Sequence, residues 1–495
     1  MAPPHKITDV ETDHETKPGR FSKDFSYHLS RESKLRQKSL LKEATSYLTA
    51  DPELISLAAG LPSSQLFPIE KITAEVVIPK NAFHRTGIWD HDGLSGIGRI
   101  SKGKTDIANG KSNYDLTRAL QYEQGAGSSQ VLTFVKEHMA RIHNPKYLDW
   151  NCILTGGNTQ GMETIFRMLL NPGDTLLLEE FAFPESVEGL RPLGLNLVGI
   201  TVDDEGLSAD ILEDTLLNWD LKFPSKKRPH VLYTVPTGQN PTGATMALER
   251  RRRIYDICVK FDLLIVEDDP YYFLQLSEYV SGSDDVKVPI TSEEFISSLV
   301  PSLLSIDVEG RVLRLDSLAK IIAPGLRMGW ITGNEKLLER IVRHNEVGLQ
   351  CTSGVSMAVI HGLFNDTWGQ EGYLDWLVNL RADYTSRRNA IVGACEKYLP
   401  RDVCRWVLPQ AGMFLWIQLD YTKHPDASKG IECVETEIFK RALANKVVIL
   451  PGGWFKVNPE YSGAFFRATY AAASNQEMDS AIQCFAKTVR ESFGL

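Results

Sequence analysis

Residues 263–272 read LLIVEDDPYY, an apolar run that ends in three consecutive carboxylates. A strand that is apolar on both faces is typical of a parallel sheet covered by helices on both sides. Comparable runs alternate with helical periodicity between about residues 150 and 332, which predicts βαβ units and an α/β fold with a mostly parallel sheet. The other predicted strands of this sheet are 152–154, 175–178, 197–200, 231–235 and 312–315.

The rest of the chain predicts a second, smaller α+β domain built from both chain ends. Residues 1–24 are polar and are expected to form a mobile tail, followed by an N-terminal part of the small domain at 25–115. The large domain is expected to cover 116–345, and the C-terminal part of the small domain 346–495. Within these bounds we expect a helix over about 24–50, inserted loops at 79–112 and 277–310, and strands at 413–417, 447–450 and 465–469.

Composition excludes several classes of protein. The 495 residues are 43% hydrophobic and 9% aromatic, which excludes a disordered chain. The net charge of −9, from 54 basic and 63 acidic residues, argues against a nucleic-acid or membrane-surface partner. Seven cysteines without a C-x-x-C pair are typical of a reducing compartment, so we expect neither disulfides nor a metal site. Because the sequence shows no secretory leader and no long apolar window, we expect a cytoplasmic protein without a membrane span.

Residues 98–105, GRISKGKT, match the phosphate-binding pattern G-x-x-x-x-G-K-[ST] at every position. That pattern binds phosphate only where a buried strand leads into the loop and a helix leaves it. The flanking stretches 89–93 (WDHDG) and 106–111 (DIANGK) suit neither a buried strand nor an apolar helix. We therefore do not expect a nucleotide site here.

Four other segments follow predicted strands and carry chemically useful groups. Residues 155–161, TGGNTQG, combine free amides with a helix N-terminus, which favours an anion. Residues 236–243, PTGQNPTG, form a rigid turn that presents a carboxamide, and residues 267–272 present carboxylates beside a phenol. Lys320 follows a buried strand and is a candidate for Schiff-base chemistry, with Arg327 seven positions further on. Each segment alone is weak evidence.

In this order, the glycine-rich turn, the Asn-Pro turn, the Asp-Tyr pair, the lysine and the arginine resemble the fold-type I pyridoxal-phosphate aminotransferases. The chain is most similar to their kynurenine/2-aminoadipate group and to the fungal aromatic amino acid aminotransferases, from about Phe25 to the C-terminus. The resemblance implies a large aspartate aminotransferase-like domain that binds pyridoxal 5′-phosphate, and a homodimer with shared active sites. The most similar segments are 57–62, 119–122, 240–243, 267–272 and 411–416.

The resemblance also implies three catalytic residues. Lys320 matches the lysine that forms the Schiff base and moves the substrate α-proton. Asp268 matches the aspartate that pairs with the pyridine nitrogen and keeps the ring an electron sink. Tyr271, together with Asn240, matches the donors to the 3′-oxygen of the ring.

For the remaining site residues the resemblance implies binding roles. Arg467 would hold the substrate α-carboxylate beside Asn240, and Gly60 would lie in the segment that reads the substrate side chain. The implied cofactor contacts, apart from the three catalytic residues and Asn240, are Asn158, Thr159, Ser317 and Arg327 at the phosphate, Phe183 stacked on the ring, and Tyr122 reaching the phosphate of the neighbouring subunit.

Three positions depart from the family pattern. The family usually has Ser-Gln at Asn158-Thr159, commonly Tyr at Phe183, and Ser or Thr at Ala319. The last change removes one hydroxyl donor to the phosphate, which would cost about 1–2 kcal/mol of cofactor affinity. We therefore expect an active enzyme that binds its cofactor more loosely.

The implied reaction is transamination of an aromatic L-amino acid with a 2-oxo acid, 2-oxoglutarate being the expected acceptor. Two alternatives stay open: a 2-aminoadipate or kynurenine aminotransferase, and a lyase or decarboxylase that uses the same cofactor on the same fold. An aromatic side chain needs an apolar slot, whereas an acidic one needs a second cation. Arg31, Arg36 and Arg85 are candidates for that cation, although no motif places any of them.

Overall fold

A seven-stranded and a four-stranded sheet organise the protein, shown here by a computed structural model that describes residues 19–42, 53–55, 57, 60–79, 97–281 and 291–495. The strands in these ranges are β1 Lys71–Val77, β2 Ile97–Gly103, β3 Trp150–Thr155, β4 Thr175–Glu179, β5 Asn196–Ile200, β6 Val202–Asp203, β7 Gly206–Leu207, β8 Val231–Thr234, β9 Leu264–Asp268, β10 Val312–Ser317, β11 Gly329–Asn334, β12 Cys404–Trp406, β13 Phe414–Leu419, β14 Leu450–Pro451 and β15 Ala464–Thr469.

The α-helices surround the sheets, and those of the same ranges are α1 Arg31–Leu35, α2 Leu116–Ala119, α3 Ser129–Ile142, α4 Asn158–Leu169, α5 Pro184–Leu190, α6 Ala209–Leu217, α7 Trp219–Lys222, α8 Leu248–Lys260, α9 Ser292–Ser297, α10 Leu303–Ile306, α11 Glu335–Asn345, α12 Gly354–His361, α13 Gly369–Tyr398, α14 Ile431–Ala444 and α15 Asn475–Phe493. A π-helical segment, Gly362–Trp368, joins α12 to α13. None of the described helices is both long enough and apolar enough to cross a membrane.

The large sheet has the strand order β3-β11-β10-β9-β8-β4-β5. Every residue of β4, β8, β9 and β10 is buried, as expected for strands that helices cover on both faces. All strands run parallel except β11, which is antiparallel to both β10 and β3. This seventh strand was not predicted, because its apolar run is only Trp330-Ile331 and glycines lie on both sides of it.

The small sheet is antiparallel, in the order β12-β13-β15-β14. Helix α14 packs on β15, and α15 packs on α13 and α14. The predicted strand at 447–450 was largely wrong. Only Leu450 and Pro451 pair with β15, because Lys446 adopts a φ of 67° after α14 and the next residues complete the turn.

The N-terminal segment differs from the prediction in two ways. The expected mobile tail is fixed from Gly19 onward: the Ser22 hydroxyl donates to Asp149 at 2.6 Å, and the Lys23 amide donates to the Glu309 carbonyl at 2.8 Å. The expected long helix is only α1 up to Leu35, followed by a non-helical stretch at 36–39. Helical backbone resumes at residues 40–42, where Leu40 and Leu41 are 79% and 69% exposed. Residues 43–50 of that prediction lie outside the described ranges.

The inserted loop predicted at 79–112 contains a strand, β2, that pairs antiparallel with β1. Its inward-facing residues are Gly98, Ile100 and Lys102. A glycine and a lysine at buried positions hide the apolar alternation by which such a strand is recognised. Residues 80–96 of the predicted loop lie outside the described ranges.

Candidate active site

The carboxyl edge of the large sheet brings three of the predicted segments together. Asp268 ends β9, and β10 runs parallel to it with Leu315 opposite Asp268. Lys320 follows the end of β10 by three residues and is exposed. The glycine-rich turn after β3 opens α4 at the same edge. This is where parallel α/β sheets bind ligands.

The carboxylate of Asp268 is buried and accepts a hydrogen bond at each oxygen. Asn158 Nδ2 donates to Oδ1 at 2.7 Å, and the Tyr233 hydroxyl donates to Oδ2 at 2.8 Å. Burial raises the pKa of Asp268 to about 6, and the two donors oppose that rise because they favour the charged form. The Asn158 side chain, expected at a phosphate, therefore contacts the aspartate instead.

Two residues of this site were missed by the sequence analysis. Tyr233 lies in a strand that was recognised only as an apolar run, although a buried tyrosine hydroxyl normally needs a partner. Arg314 of β10 is also fully buried, and its guanidinium lies 3.0 Å from Asp269 and 2.9 Å from Asp316. Arg314 thus pairs both with Asp269, which follows Asp268 in the chain, and with Asp316 near the end of β10. These ion pairs hold the ends of β9 and β10 together.

The Asn-Pro turn contacts a strand of the small sheet. Asn240 Oδ1 accepts a hydrogen bond from Arg467 Nη1 of β15 at 2.8 Å. The Arg467 guanidinium lies 4.6 Å from the ring centroid of Phe414 and 4.7 Å from that of Phe455. Tyr271 is buried, which raises the pKa of its phenol, and its ring packs edge-on against Phe414. Asn240, Tyr271 and Arg467 therefore form one cluster with an aromatic border.

The other end of the site is rich in donors. Arg327 adopts a left-handed φ of 49°, and its Nη2 donates to the Gly156 carbonyl at 3.2 Å. Gly157 has a φ of 96°, and a Cβ there would lie 3.0 Å from the same Nη2, so the turn needs a glycine. Thr159 is exposed in the first turn of α4, and Ser317 Oγ accepts from the Ala319 amide at 3.1 Å. Helix amides and a guanidinium at one place suit an anion.

Three predicted residues lie at the margin of this cluster or away from it. Phe183 is half-buried and directly precedes α5. Tyr122 is 62% exposed, with the Lys42 ammonium 6.0 Å from its ring centroid. Gly60 is exposed, with open space where a side chain would stand. Within one chain, Tyr122 and Gly60 make no described contact with the other predicted site residues.

Comparisons with known proteins decide the family. The family model "Aminotransferase class I and II" matches residues 111–485. The chain belongs to the class I and II aminotransferases. An aromatic amino acid aminotransferase of Schizosaccharomyces pombe is 41% identical over 95% of this chain and 98% of its own. A mitochondrial kynurenine/alpha-aminoadipate aminotransferase of Bos taurus is 32% identical over 95% of this chain and 100% of its own.

Solved structures agree with the family and the fold. The crystal structure of the aminotransferase Aro8 from Candida albicans superposes with a TM-score of 0.89, at 39% identity, over 96% of this chain and 100% of that one. The predicted α/β aminotransferase fold is thereby confirmed. The protein is an aminotransferase, and pyridoxal phosphate is its cofactor.

The residues at the carboxyl edge fit this cofactor. The buried Asp268 carboxylate suits a protonated pyridine nitrogen, and the Gly157 turn beside Arg327 leaves room for a phosphate. The Thr155 hydroxyl and the Arg467 Nε are buried and have no hydrogen-bond partner among the described residues. A buried polar atom without a partner costs stability, so its presence at this edge is consistent with a bound ligand.

Proposed function

We propose that this aminotransferase acts on aromatic L-amino acids, with 2-oxoglutarate as the acceptor. The observation that carries the proposal is the position of Arg467 between the rings of Phe414 and Phe455. A carboxylate-binding group with an aromatic border suits a substrate whose side chain is itself a ring. The names of the Schizosaccharomyces pombe relative and of other relatives point the same way.

The amino-group transfer is assigned to three residues. Pyridoxal phosphate supplies the aldehyde that receives the amino group and the ring that stabilises negative charge at the substrate α-carbon. Lys320 takes the proton from that α-carbon and returns it later in the reaction, as a general base and then a general acid. Asp268 holds the proton at the pyridine nitrogen, and Tyr271 donates a hydrogen bond to the 3′-oxygen of the ring.

Binding is assigned to the remaining predicted residues. Arg467 holds the substrate α-carboxylate, with Asn240 fixing the orientation of the guanidinium by their 2.8 Å hydrogen bond. Arg327, Thr159 and Ser317 bind the cofactor phosphate, and Phe183 covers the ring. In this proposal the Asn158 side chain serves Asp268, so only its backbone amide faces the phosphate.

An acidic amino donor is less well suited to this site. Of the candidate second cations, Arg36 is ion-paired with Glu32 at 2.5 Å, and Arg85 lies outside the described residues. Glu185 of α5 places a negative charge in electrostatic range of Arg467. A second carboxylate on the substrate would be repelled by it.

The proposal is tested by kcat/KM for phenylalanine, tyrosine and tryptophan against aspartate and alanine, all with 2-oxoglutarate. At least one aromatic donor is expected to exceed both comparison donors by tenfold or more, on the order of 1.4 kcal/mol of transition-state discrimination. Kynurenine and 2-aminoadipate belong in the same panel, because of the Bos taurus relative. If aspartate or alanine had a higher kcat/KM than every aromatic donor, the proposed substrate class would be wrong, although the assignment to the aminotransferase family would not change.

A homodimer with shared sites is also proposed. A partner subunit would cover side chains that are exposed in a single chain. These include Tyr122, and also Leu57 and Leu66, which are 98% and 83% exposed. Mixing inactive Lys320→Ala chains with inactive Tyr122→Ala chains should restore up to about one quarter of wild-type activity, since half of the dimers then hold one intact site. Hybrid dimers that form but stay inactive would exclude a shared site.

The expected cytoplasmic location stays part of this proposal. All seven cysteines lie in the described ranges, and every one is a free thiol there, which suits a reducing compartment. A mitochondrial matrix is reducing as well, and the Bos taurus relative is mitochondrial by name. Cell fractionation with cytosolic and matrix markers would distinguish the two locations.

A further inference from the structure

A second cavity lies behind the Asn-Pro turn, and we call it the rear cavity. It has a volume of about 420 Å³, which is within the range of small-molecule sites. One wall comes from the large sheet and its loops, including Thr201, Asp204 and the turn residues 242–245. The other wall comes from the small sheet. None of its lining residues belongs to the cluster of Asp268, Asn240, Lys320 and Arg467.

The floor of the rear cavity is aromatic. Trp416 and Phe465 stack with their ring centroids 5.0 Å apart and their planes 12° apart, and Phe181 meets Trp416 edge-on. Trp416 lies directly opposite Arg467 in the pairing of β13 with β15. Because directly opposite residues of an antiparallel pair share one face, the indole that lines the rear cavity is a neighbour of Arg467. Flat aromatic surface of this kind suits a planar ring.

Arg405 supplies the cavity with a cation. Its Nε donates to Gln418 Oε1 at 2.6 Å, which fixes the guanidinium from the side of the small sheet. In the part of the chain that the structure describes, its two terminal nitrogens make no hydrogen bond or ion pair. Two parallel N–H groups that are held in place and unused match the geometry of a carboxylate.

The opposite rim of the cavity carries two aspartates, of which one is ion-paired. Asp203 is ion-paired with Arg250 at 2.9 Å, whereas Asp204 has no cationic partner among the described residues. The cavity thus offers an aromatic floor, one available guanidinium and two carboxylates without a cationic partner among the described residues, Asp204 and Glu180, of which Glu180 accepts a hydrogen bond from the Val202 amide at 2.9 Å.

We propose that the rear cavity is a second binding site for aromatic carboxylates, with the ring on Trp416 and Phe465 and the carboxylate on Arg405. The inference comes from the lining of the cavity and does not depend on the proposed substrates of the active site. An occupant touches residues 242–245, which directly follow Asn240. Gly243 packs closely on the small sheet, because a Cβ there would lie 2.5 Å from the Phe414 carbonyl.

The test is equilibrium dialysis of the holoenzyme with indole-3-propionate, which has no amino or oxo group to exchange. An Arg467→Ala background removes the active-site carboxylate contact, so that saturable binding of one probe per chain reports the rear cavity. Adding Arg405→Ala is expected to weaken the dissociation constant at least tenfold. Arg252→Ala, which removes another exposed arginine that does not line the cavity, is the charge control and should leave binding unchanged.

A second variant tests the cavity without changing its charge. Thr201→Trp places a large ring in the space and is expected to abolish the same binding while transamination by the otherwise wild-type enzyme continues. The proposal is overturned if the Arg467→Ala holoenzyme shows no saturable binding, or if neither Arg405→Ala nor Thr201→Trp weakens it. Aromatic transamination is measured separately on the wild-type enzyme, so failure here is distinct from failure of the proposed function.

Both an aromatic amino acid and its 2-oxo acid are aromatic carboxylates, and the ammonium group distinguishes them. α-Methyltryptophan carries that ammonium but has no α-proton to transfer. If it binds at least tenfold more tightly than indole-3-propionate, and Asp204→Asn removes the difference, the amino acid is the ligand. Equal binding of the two probes, insensitive to Asp204→Asn, identifies the oxo acid.

Discussion

Two glycine-rich segments of this chain suggest a phosphate site in the sequence, and the fold uses them differently. Residues 98–105 match the phosphate-loop pattern at every position, yet they lie largely in β2, antiparallel to β1. Residues 155–161 match no such pattern in full, yet they join the buried β3 to α4. Only the second segment lies at the carboxyl edge that carries Asp268.

The two segments differ in the direction and availability of their backbone amide groups. In β2 the backbone is extended and paired with β1 from Lys71–Gly103 to Val77–Ile97, so its amides point alternately toward and away from β1 and do not converge on one point. In the turn before α4, Gly157 at a φ of 96° directs the chain into a helix whose first amides have no partner within the helix. An anion site requires free amides at a helix start, and the identity of the residues is secondary to that.

The contrast can be tested by substituting Lys320 at the carboxyl edge of the large sheet and, separately, the lysines of residues 98–105. The largest effect is expected at Lys320. Lys320→Ala at the carboxyl edge should reduce transamination at least about a thousandfold, because the proton transfer loses its general base. The variant should still bind the cofactor through the phosphate contacts, which absorbance after gel filtration would show. Turnover near the wild-type level would remove Lys320 from the mechanism.

Much of the carboxyl edge could be predicted because burial on both faces leaves a clear signature. β9 is an apolar run that ends in charged residues, so both a buried strand and the position of Asp268 at its end follow from the pattern. The roles of Lys320 and Arg467, in contrast, came from a family resemblance. Spacing alone does not bring a residue at 467 next to one at 240.

The parts that were predicted wrongly depend on tertiary contacts that contradict local pattern. β2 is buried through a lysine, and the helix expected over 24–50 is interrupted at residues 36–39. The phosphate assignment of Asn158 stays a prediction, and the structure adds a contact that the sequence did not indicate: its side chain donates to Asp268, whose other oxygen accepts from Tyr233. No local signal distinguishes these two uses of an asparagine at the start of a helix.

The next prediction concerns Lys102, the buried lysine of β2. Its ammonium is paired with Asp366 and lies 2.9 Å from His361 Nδ1 and 2.8 Å from Ser112 Oγ. Lys102→Met should destabilise the fold by about 1–2 kcal/mol, because it removes the cation paired with Asp366 and a hydrogen-bond partner of the buried His361. A lowered apparent Tm with kcat within twofold of wild type is the expected result.

Arg99→Met is the matched control for Lys102, since Arg99 faces outward from the same strand and pairs with an exposed Glu75. It should change stability by less than about 1 kcal/mol. Equal effects of the two substitutions would mean that β2 is not anchored through Lys102. If Lys102→Met lowered kcat without lowering the apparent Tm, β2 would have a role in catalysis.

A smaller effect is expected from the two donors to Asp268. Asn158→Ser and Tyr233→Phe each remove a hydrogen bond to the charged carboxylate, which should raise its pKa above the value of about 6. More of the carboxyl group is then protonated near neutral pH, so the acid limb of the kcat/KM profile should move upward by about 0.5–1 pH unit, equivalent to about 1 kcal/mol.

Thr159→Ala is the control, because this hydroxyl is assigned to the phosphate. It should weaken cofactor binding without moving the pH profile. If Asn158→Ser weakened cofactor binding and left the acid limb in place, the original phosphate assignment of Asn158 would be right.

The smallest effect is expected at Lys104, the lysine that the phosphate-loop pattern would make essential. Its ammonium is paired with an exposed Glu70 at 2.6 Å and also donates to the Phe67 carbonyl, so it is occupied in joining the end of β2 to the segment before β1. Lys104→Ala should change stability by no more than about 1 kcal/mol, because its partner Glu70 is exposed to solvent, and should leave kcat/KM unchanged, because the pair lies outside the cluster around Asp268. Isothermal titration with ATP and Mg²⁺ should detect no binding to the wild-type protein, and none to the variant. If the wild-type protein bound ATP and Lys104→Ala abolished that binding, the contrast between the two glycine-rich segments would be wrong. A strand would then bind a phosphate without free amides at a helix start.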